Sequence, residues 1–217
     1  MELSKSCVAY ICNEMESFVV SALKYRPTRF EEVVGQQAIT QTLQNALDTR
    51  QLAQSLLFCG PRWVGKTSCA RILAQEINSQ NRNQSEDFAF NVFELDAASN
   101  NLVEDIRKIN EQVRIPPQLG THKVYIIDEV HMLTVQAFNA LLKTLEEPPQ
   151  HVKFILATTD VHKVPQTIIS RCQRFDFLPL SNSTICDRLK FIAESENQSI
   201  DEKSLSLIAG KSEGSMR

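Results

Sequence analysis

Five short apolar runs alternate along the chain with longer stretches whose apolar positions recur at helical spacing. The runs are Leu56-Leu57-Phe58-Cys59, Val92-Phe93-Glu94-Leu95-Asp96, Lys123-Val124-Tyr125-Ile126-Ile127-Asp128-Glu129, the stretch from Val152 to Thr159, and Arg174-Phe175-Asp176-Phe177. The near-continuous apolarity of the first, third and fourth predicts strands covered on both faces, as in a parallel sheet. Between them, Ser68 to Ile77 places Ala70, Leu73, Ala74 and Ile77 on one helical face, and Phe138, Leu141, Leu142 and Leu145 do the same before Pro148-Pro149. Gln37 to Thr49 is predicted as an amphipathic helix through Ile39, Leu43 and Leu47, and Leu102 to Val113 as another, ended by Pro116-Pro117. Beyond Pro179 the composition turns helical, over 184–196 and 201–210, whereas residues 78–91 are polar and Asn-rich, a surface loop. Strands alternating with helices define an α/β chain.

The stretch around which the rest is organised is Gly60-Pro61-Arg62-Trp63-Val64-Gly65-Lys66-Thr67, of the form G-x-x-x-x-G-K-[ST]. It follows a predicted strand and opens a predicted helix, the context that makes this pattern a phosphate site. Backbone N–H groups of such a loop and of the first helical turn converge on an anion. Lys66 can then reach the β- and γ-phosphates of a nucleotide, and the Thr67 hydroxyl can join a magnesium shell.

Asp128 and Glu129 end the third run. In a parallel sheet, ligands lie beyond the carboxyl ends of the strands, so both acids are expected to face the phosphate loop. Asp128 is the candidate magnesium holder, and Glu129 the candidate for orienting and polarising an attacking water; the bland reading is a strand ending in solvated acids. The fourth run ends in hydroxyls at the same edge, where a threonine would serve the γ-phosphate or the water, or simply turn the strand. Ile168-Ile169-Ser170-Arg171-Cys172 places an arginine near a helix end.

The chain has 217 residues, 42% of them hydrophobic and 23% charged, with a formal net charge of −3. A mildly acidic chain is not held on nucleic acid by bulk charge, so any DNA contact must be a local patch or arise in an assembly. No stretch is long enough to cross a membrane. The cysteines (Cys7, Cys12, Cys59, Cys69, Cys172, Cys186) are scattered without a Cys-x-x-Cys, which favours a reduced, cytoplasmic protein. Residues 1–14 fit poorly with the rest of the chain and are expected to be an extension, with Met15 a plausible alternative start.

Taken in order, the motifs resemble the gamma/tau subunits of bacterial DNA polymerase III, the AAA+ motors of the sliding-clamp loader. The resemblance runs from about Val19 to Arg217. It rests on Tyr25-Arg26-Pro27-Thr28-Arg29-Phe30-Glu31-Glu32-Val33-Val34-Gly35-Gln36, Glu94-Leu95-Asp96-Ala97-Ala98-Ser99 and Asp128-Glu129-Val130-His131-Met132-Leu133. Asn139-Ala140-Leu141-Leu142-Lys143-Thr144-Leu145-Glu146-Glu147-Pro148-Pro149 and Ser170-Arg171-Cys172 are close to signatures.

The resemblance implies a P-loop AAA+ domain with a five-stranded parallel sheet flanked by helices over 19–178. A small helical lid over 179–217 and an extension over 1–18 complete the expected organisation. Gly60 to Thr67 is similar to the family's Walker A, and Asp128 with Glu129 to its Walker B. Thr159 matches the sensor-1 position, and Arg171 the arginine finger that enters the neighbouring subunit's site. Arg217 matches the sensor-2 arginine, and the segment containing Val34 resembles the part lining the adenine pocket. Implied cofactors are ATP and Mg2+. Implied partners are delta, delta prime and further gamma/tau subunits, the beta sliding clamp and primer–template DNA. DNA donors are expected on the helix from Asn101 to Arg114, although Glu104, Asp105, Arg107 and Lys108 there equally fit a solvated face.

Two departures from the family pattern stand out. Members usually carry four zinc-binding cysteines after the phosphate-loop helix, whereas residues 70–171 contain none, so no zinc site is expected. Trp63 stands where the family has glycine, and a bulky residue there is expected to crowd the phosphates or strain the loop. It supports one alternative, a structural clamp-loader subunit with impaired nucleotide binding. A different AAA+ machine, such as a branch-migration motor or a helicase loader, is a further alternative. By the family pattern the lid is also cut within its third helix and the collar domain is absent, so this piece alone is expected to assemble poorly and hydrolyse ATP slowly.

Overall fold

A computed structural model describes residues 20–79, 91–99, 103–118 and 120–216. Five parallel strands form one sheet: β1 (Ser55–Cys59), β2 (Val92–Asp96), β3 (Lys123–Asp128), β4 (Val152–Thr158) and β5 (Gln173–Asp176). Their spatial order is β2-β3-β4-β1-β5, which seats β1 between β4 and the edge strand β5. These are the five apolar runs of the sequence, with ends shifted by a residue or two, as fraying and assignment allow.

Among the described residues the helices are α1 (Ser21–Lys24), α2 (Gln37–Asp48), α3 (Lys66–Ser79), α4 (Val103–Val113), α5 (Val135–Glu146), α6 (Gln166–Ile169), α7 (Asn182–Ser195) and α8 (Glu202–Lys211). Successive residues of a strand point to opposite faces, and the core divides accordingly. Leu56, Phe58, Val124, Ile126, Ile155 and Ala157 pack with Leu43 and Leu47 of α2 and with Ala70, Leu73 and Ile77 of α3. Leu57, Tyr125, Ile127, Phe154 and Leu156 pack on the other face with Ile106 and Ile109 of α4 and with Phe138, Leu141 and Leu145 of α5. The three central strands are buried on both faces, which is why they read as unbroken apolar runs. On the second face Tyr125 stacks between Phe93 and Phe154, at ring separations of 4.9 and 5.6 Å, and ties the edge strand β2 to the interior.

Start signals hold the helices in place. Thr134 accepts a hydrogen bond from the Ala137 N–H ahead of α5, Ser181 from Thr184 ahead of α7, and Asp201 from Ser204 ahead of α8. Three single-turn 3-10 segments, Phe30–Glu32, Val130–Met132 and Val161–Lys163, have no counterpart among the elements expected from the sequence. They are too short to carry a periodic signal. The C-terminal helices pack around their own small cluster of Leu180, Ile185 and Ala209. The expected extension over 1–18 lies outside the described residues. Among the described residues no helix is long and apolar enough to cross a membrane.

Candidate nucleotide-binding site

Gly60 leaves the carboxyl end of β1 at φ +145, and a Cβ there would overlap the Phe177 carbonyl oxygen. Close passage of the chain beyond β5 therefore dictates glycine at this position, independently of any ligand. Gly60→Ala is expected to cost at least ~2 kcal/mol of stability, read as a lower urea midpoint. Gly65, at φ +104, makes the second reversal and has only ordinary contact room, so its glycine is set by backbone conformation. Between them the loop turns to deliver Lys66 as the first residue of α3.

Lys66 is 5% exposed, and its ammonium donates to the carbonyls of Gly60 (2.8 Å) and Pro61. Burial pulls its pKa down, and the nearby Glu129 and Asp128 carboxylates oppose that shift. Thr67 Oγ1 donates to Asp128 Oδ2 at 2.6 Å, across 61 residues of sequence. Asp128 Oδ1 accepts the backbone N–H of Glu129 at 2.9 Å, so both of its oxygens are engaged and its orientation is set. A hydroxyl beside a carboxylate is a hard-oxygen donor pair that suits magnesium.

Glu129 itself adopts a left-handed backbone, φ 47 and ψ 44, at the turn into the 3-10 segment. This conformation is sparsely populated for a non-glycine residue. Its Oε2 accepts the Thr159 hydroxyl at 2.8 Å, and His131 Nδ1 lies 3.4 Å from the same oxygen. Thr159 therefore contacts the acid at the end of β3, an arrangement that neither segment foretells separately.

Trp63 is also left-handed, at φ 58, and its side chain is 53% exposed. The strain expected from a bulky residue at this place is present. The indole lines the open cleft rather than packing inside the loop, and the Trp63 carbonyl accepts the Met216 N–H at 3.0 Å. Val64, next to it, is buried, and the Gln36 amide donates at 2.7 Å to the carbonyl of Leu178 just beyond β5.

These groups border a cleft of about 790 Å³ between the sheet edge, the segment from Ser21 to Val34, and the C-terminal helices. Val34, Arg62, Trp63, Val64, Gly65, Lys66, Thr67, Asp128 and Glu129 line it. Gly60, Pro61 and Thr159 lie behind the lining, touching it through Lys66 and Glu129. Arg171 is not a lining residue. It precedes β5, whose Gln173 pairs with Leu56 near the start of β1, so about 13 Å of strand separates it from the phosphate loop. Its guanidinium donates to the Thr167 carbonyl (2.6 Å) and to Glu146 (2.9 Å). Arg217 lies outside the described residues. On α4, Lys108 pairs loosely with Asp105 at 3.7 Å.

Sequence reasoning missed the far wall of the cleft. Leu180, just ahead of α7, and Arg188, Leu189 and Ile192 on α7 line it. Arg188 donates to the Tyr25 carbonyl at 3.0 Å, while Lys24 and the Tyr25 hydroxyl reach Glu196 at 2.8 and 2.6 Å. Hydrogen bonds from Lys24 and then Tyr25 lower the Glu196 pKa. Arg71 and Glu94, both in the lining, form a two-point ion pair at 2.6–2.8 Å. The apolar spacing of α7 was the available signal, but it does not say which surface the helix covers.

Fold and site together define a P-loop domain with the AAA+ fold: a β2-β3-β4-β1-β5 parallel sheet with the glycine loop after the first strand and paired acids at the end of the third. Within that class, the family described as DNA polymerase III, delta subunit, matches residues 35–181. The DNA polymerase III subunit tau of Bacillus subtilis (strain 168) is 50% identical over 206 residues, which is 89% of this chain and 37% of that protein. The subunit tau of Escherichia coli (strain K12) is 44% identical over 214 residues, 93% of this chain and 33% of that one. A solved structure of the Thermotoga maritima RuvB Holliday junction branch migration motor matches with a TM-score of 0.68 at 21% identity, over 89% of this chain and 62% of the other. That likeness is one of fold alone.

The chain belongs to the DNA polymerase III subunit family, and its resemblance to the gamma/tau members is shown by these identities. It spans about a third of the length of the two tau subunits.

Proposed function

We propose that this chain is an ATP-binding and hydrolysing motor subunit of the DNA polymerase III clamp loader, acting in the cytoplasm to load a sliding clamp onto primed DNA. The observation that carries the reading is the convergence of Lys66, Thr67, Asp128 and Glu129 on one cleft at the carboxyl edge of the sheet. Lys66 would exchange the Gly60 and Pro61 carbonyls for phosphate oxygens, and the N–H groups at the start of α3 would hold the phosphates beside it. Magnesium, when bound, neutralises charge on those phosphates, and Thr67 Oγ1 and Asp128 Oδ2 are the residues that would hold it. Val34 would flank the base. Glu129 Oε1, with Oε2 engaged, is the oxygen left to accept a proton from water.

Arg171, at the far end of β5, would serve a neighbouring subunit, which makes hydrolysis depend on assembly. Arg217 would serve its own site from the lid, residues 179–217. Delta, delta prime and further gamma/tau copies, the beta clamp and primer–template DNA are the partners this reading implies. DNA contacts would follow the phosphate backbone and weaken steeply with salt.

Equilibrium dialysis against labelled ATP with magnesium tests the reading, with circular dichroism as the check on folding. Saturable binding that Lys66→Ala abolishes is expected. Trp63→Gly should change the Kd by less than about tenfold, equivalent to ~1.4 kcal/mol, because the half-exposed indole lines the open cleft rather than packing inside the phosphate loop. A folded chain that binds only as Trp63→Gly would instead favour a structural subunit with impaired nucleotide binding.

A further inference from the structure

Two side chains lie against one oxygen of Glu129. Thr159 Oγ1, just past the end of β4, donates to Oε2 at 2.8 Å. His131, two residues beyond Glu129 and with its side chain 8% exposed, brings Nδ1 to 3.4 Å from the same Oε2 and to 3.0 Å from Thr158 Oγ1. Thr158 is fully buried and its hydroxyl oxygen also accepts the Asp160 N–H at 3.1 Å.

The Thr158 hydroxyl can pair with Nδ1 in either tautomer, so it is the nearby Glu129 Oε2 that discriminates between them. A bare Nδ1 lone pair facing a carboxylate oxygen would be repelled, whereas an Nδ1–H is attracted to both nearby oxygens. We infer that His131, in the Nδ1–H form, is a positioning residue that, together with Thr159, pins Oε2 of Glu129 and leaves Oε1 free to take the proton from water.

The need for such a device is local. Glu129 has a left-handed backbone in a turn, and a glutamate has three side-chain torsions to restrict before its oxygen is aimed. One anchor leaves the carboxylate free to swing about the bond to Oε2; a second, from another element, removes that freedom. His131 is fixed in its turn by the 3-10 segment Val130–Met132, in which the Met132 N–H donates to the Glu129 carbonyl at 2.8 Å and the Val130 side chain is buried. The two side chains thus come from just past β4 and from the turn after β3, so the aim of the acid depends on the spacing of two neighbouring strands. No proton passes through His131, and its ring has no contact with nucleotide in this scheme.

The inference rests on Glu129 being the base, and the test separates the two. Steady-state hydrolysis and ATP dialysis are measured on the chain assembled with its partner subunits, for Glu129→Gln, His131→Ala, His131→Asn and the pair Glu129→Gln/His131→Ala. Asparagine places an N–H donor close to the position of Nδ1. His131→Ala is expected to lower kcat about 10- to 100-fold with unchanged ATP affinity, the loss appropriate to one hydrogen bond to a charged group. His131→Asn should recover most of it, and the double variant should be no slower than Glu129→Gln alone. Nitrogen-15 NMR of the histidine rings in the chain should show the Nδ1–H form for His131.

An Nε2–H ring, or a folded His131→Ala variant with unchanged kcat, would overturn the positioning role while leaving Glu129 as base. Full activity in Glu129→Gln would overturn both.

Discussion

Glu129→Gln is expected to slow ATP hydrolysis by about 10²–10⁴-fold while leaving ATP affinity within a few-fold of the wild type. The amide keeps the size of the carboxylate and can still accept the Thr159 hydroxyl, so the clamp on the side chain survives. What is lost is the ability to take a proton. Binding is spared because the groups assigned to the phosphates, Lys66 and the N–H groups that open α3, are elsewhere in the cleft. Asp128 also keeps its hydrogen bonds from Thr67 and from the backbone of residue 129. Single-turnover hydrolysis with labelled ATP, alongside dialysis, separates the two quantities. A Glu129→Gln protein that hydrolyses at the wild-type rate would remove the acid from the mechanism, and one that no longer binds would move it into the binding site.

Arg171→Ala is expected to lower hydrolysis by ~10³–10⁵-fold in assembled subunits, and to leave the slow rate expected of the isolated chain nearly unchanged. The asymmetry comes from position. Arg171 lies at the amino end of β5 and the phosphate loop at the carboxyl end of β1, so parallel pairing keeps them apart within one chain. Its present partners, Glu146 of α5 and the Thr167 carbonyl of α6, hold the guanidinium against those helices, with the side chain 35% exposed. Mixing gives the decisive measurement. Assemblies containing both Lys66→Ala and Arg171→Ala chains would recover part of the activity, because the first variant offers an intact arginine to the intact site of the second. Mixed assemblies as inactive as their parents would show that Arg171 acts within its own chain.

The phosphate loop and the C-terminal helices are connected more closely than their separation in sequence suggests. The Trp63 carbonyl receives the Met216 N–H, and the Leu180 N–H donates to the Gly214 carbonyl at 2.9 Å. Tyr25 and Lys24 hold Glu196 at the end of α7. A nucleotide in the cleft would therefore touch a wall whose position is set from both ends of the described chain. The left-handed Trp63 costs on the order of 1–2 kcal/mol relative to glycine at the same angles. Its backbone bond to Met216 offsets some of that cost.

The three central strands were legible because a strand covered on both faces must be apolar throughout. The main helices were legible because α3 and α5 show apolar stripes at i, i+3, i+4 and i+7. The glycine loop was legible because its conformation and its chemistry both restrict residue type. The same holds for Asp128 and Glu129, acids that interrupt an otherwise apolar run at its carboxyl end. Short 3-10 turns such as Val130–Met132 left no trace, since three residues cannot establish a period.

By itself, then, the sequence determined the α/β class, the strands and helices with their buried faces, and the set of polar residues available at the carboxyl edge. Only the tertiary structure decided the order β2-β3-β4-β1-β5, the 2.6 Å contact of Thr67 with Asp128, and the hydrogen bond of Thr159 to Glu129 with His131 beside it. It also closed the cleft with Arg188 and Leu189. The physical reason is that hydrophobic periodicity records which face of an element is covered, not what covers it. Pairings between distant residues are settled when the sheet assembles and whole faces are matched at once.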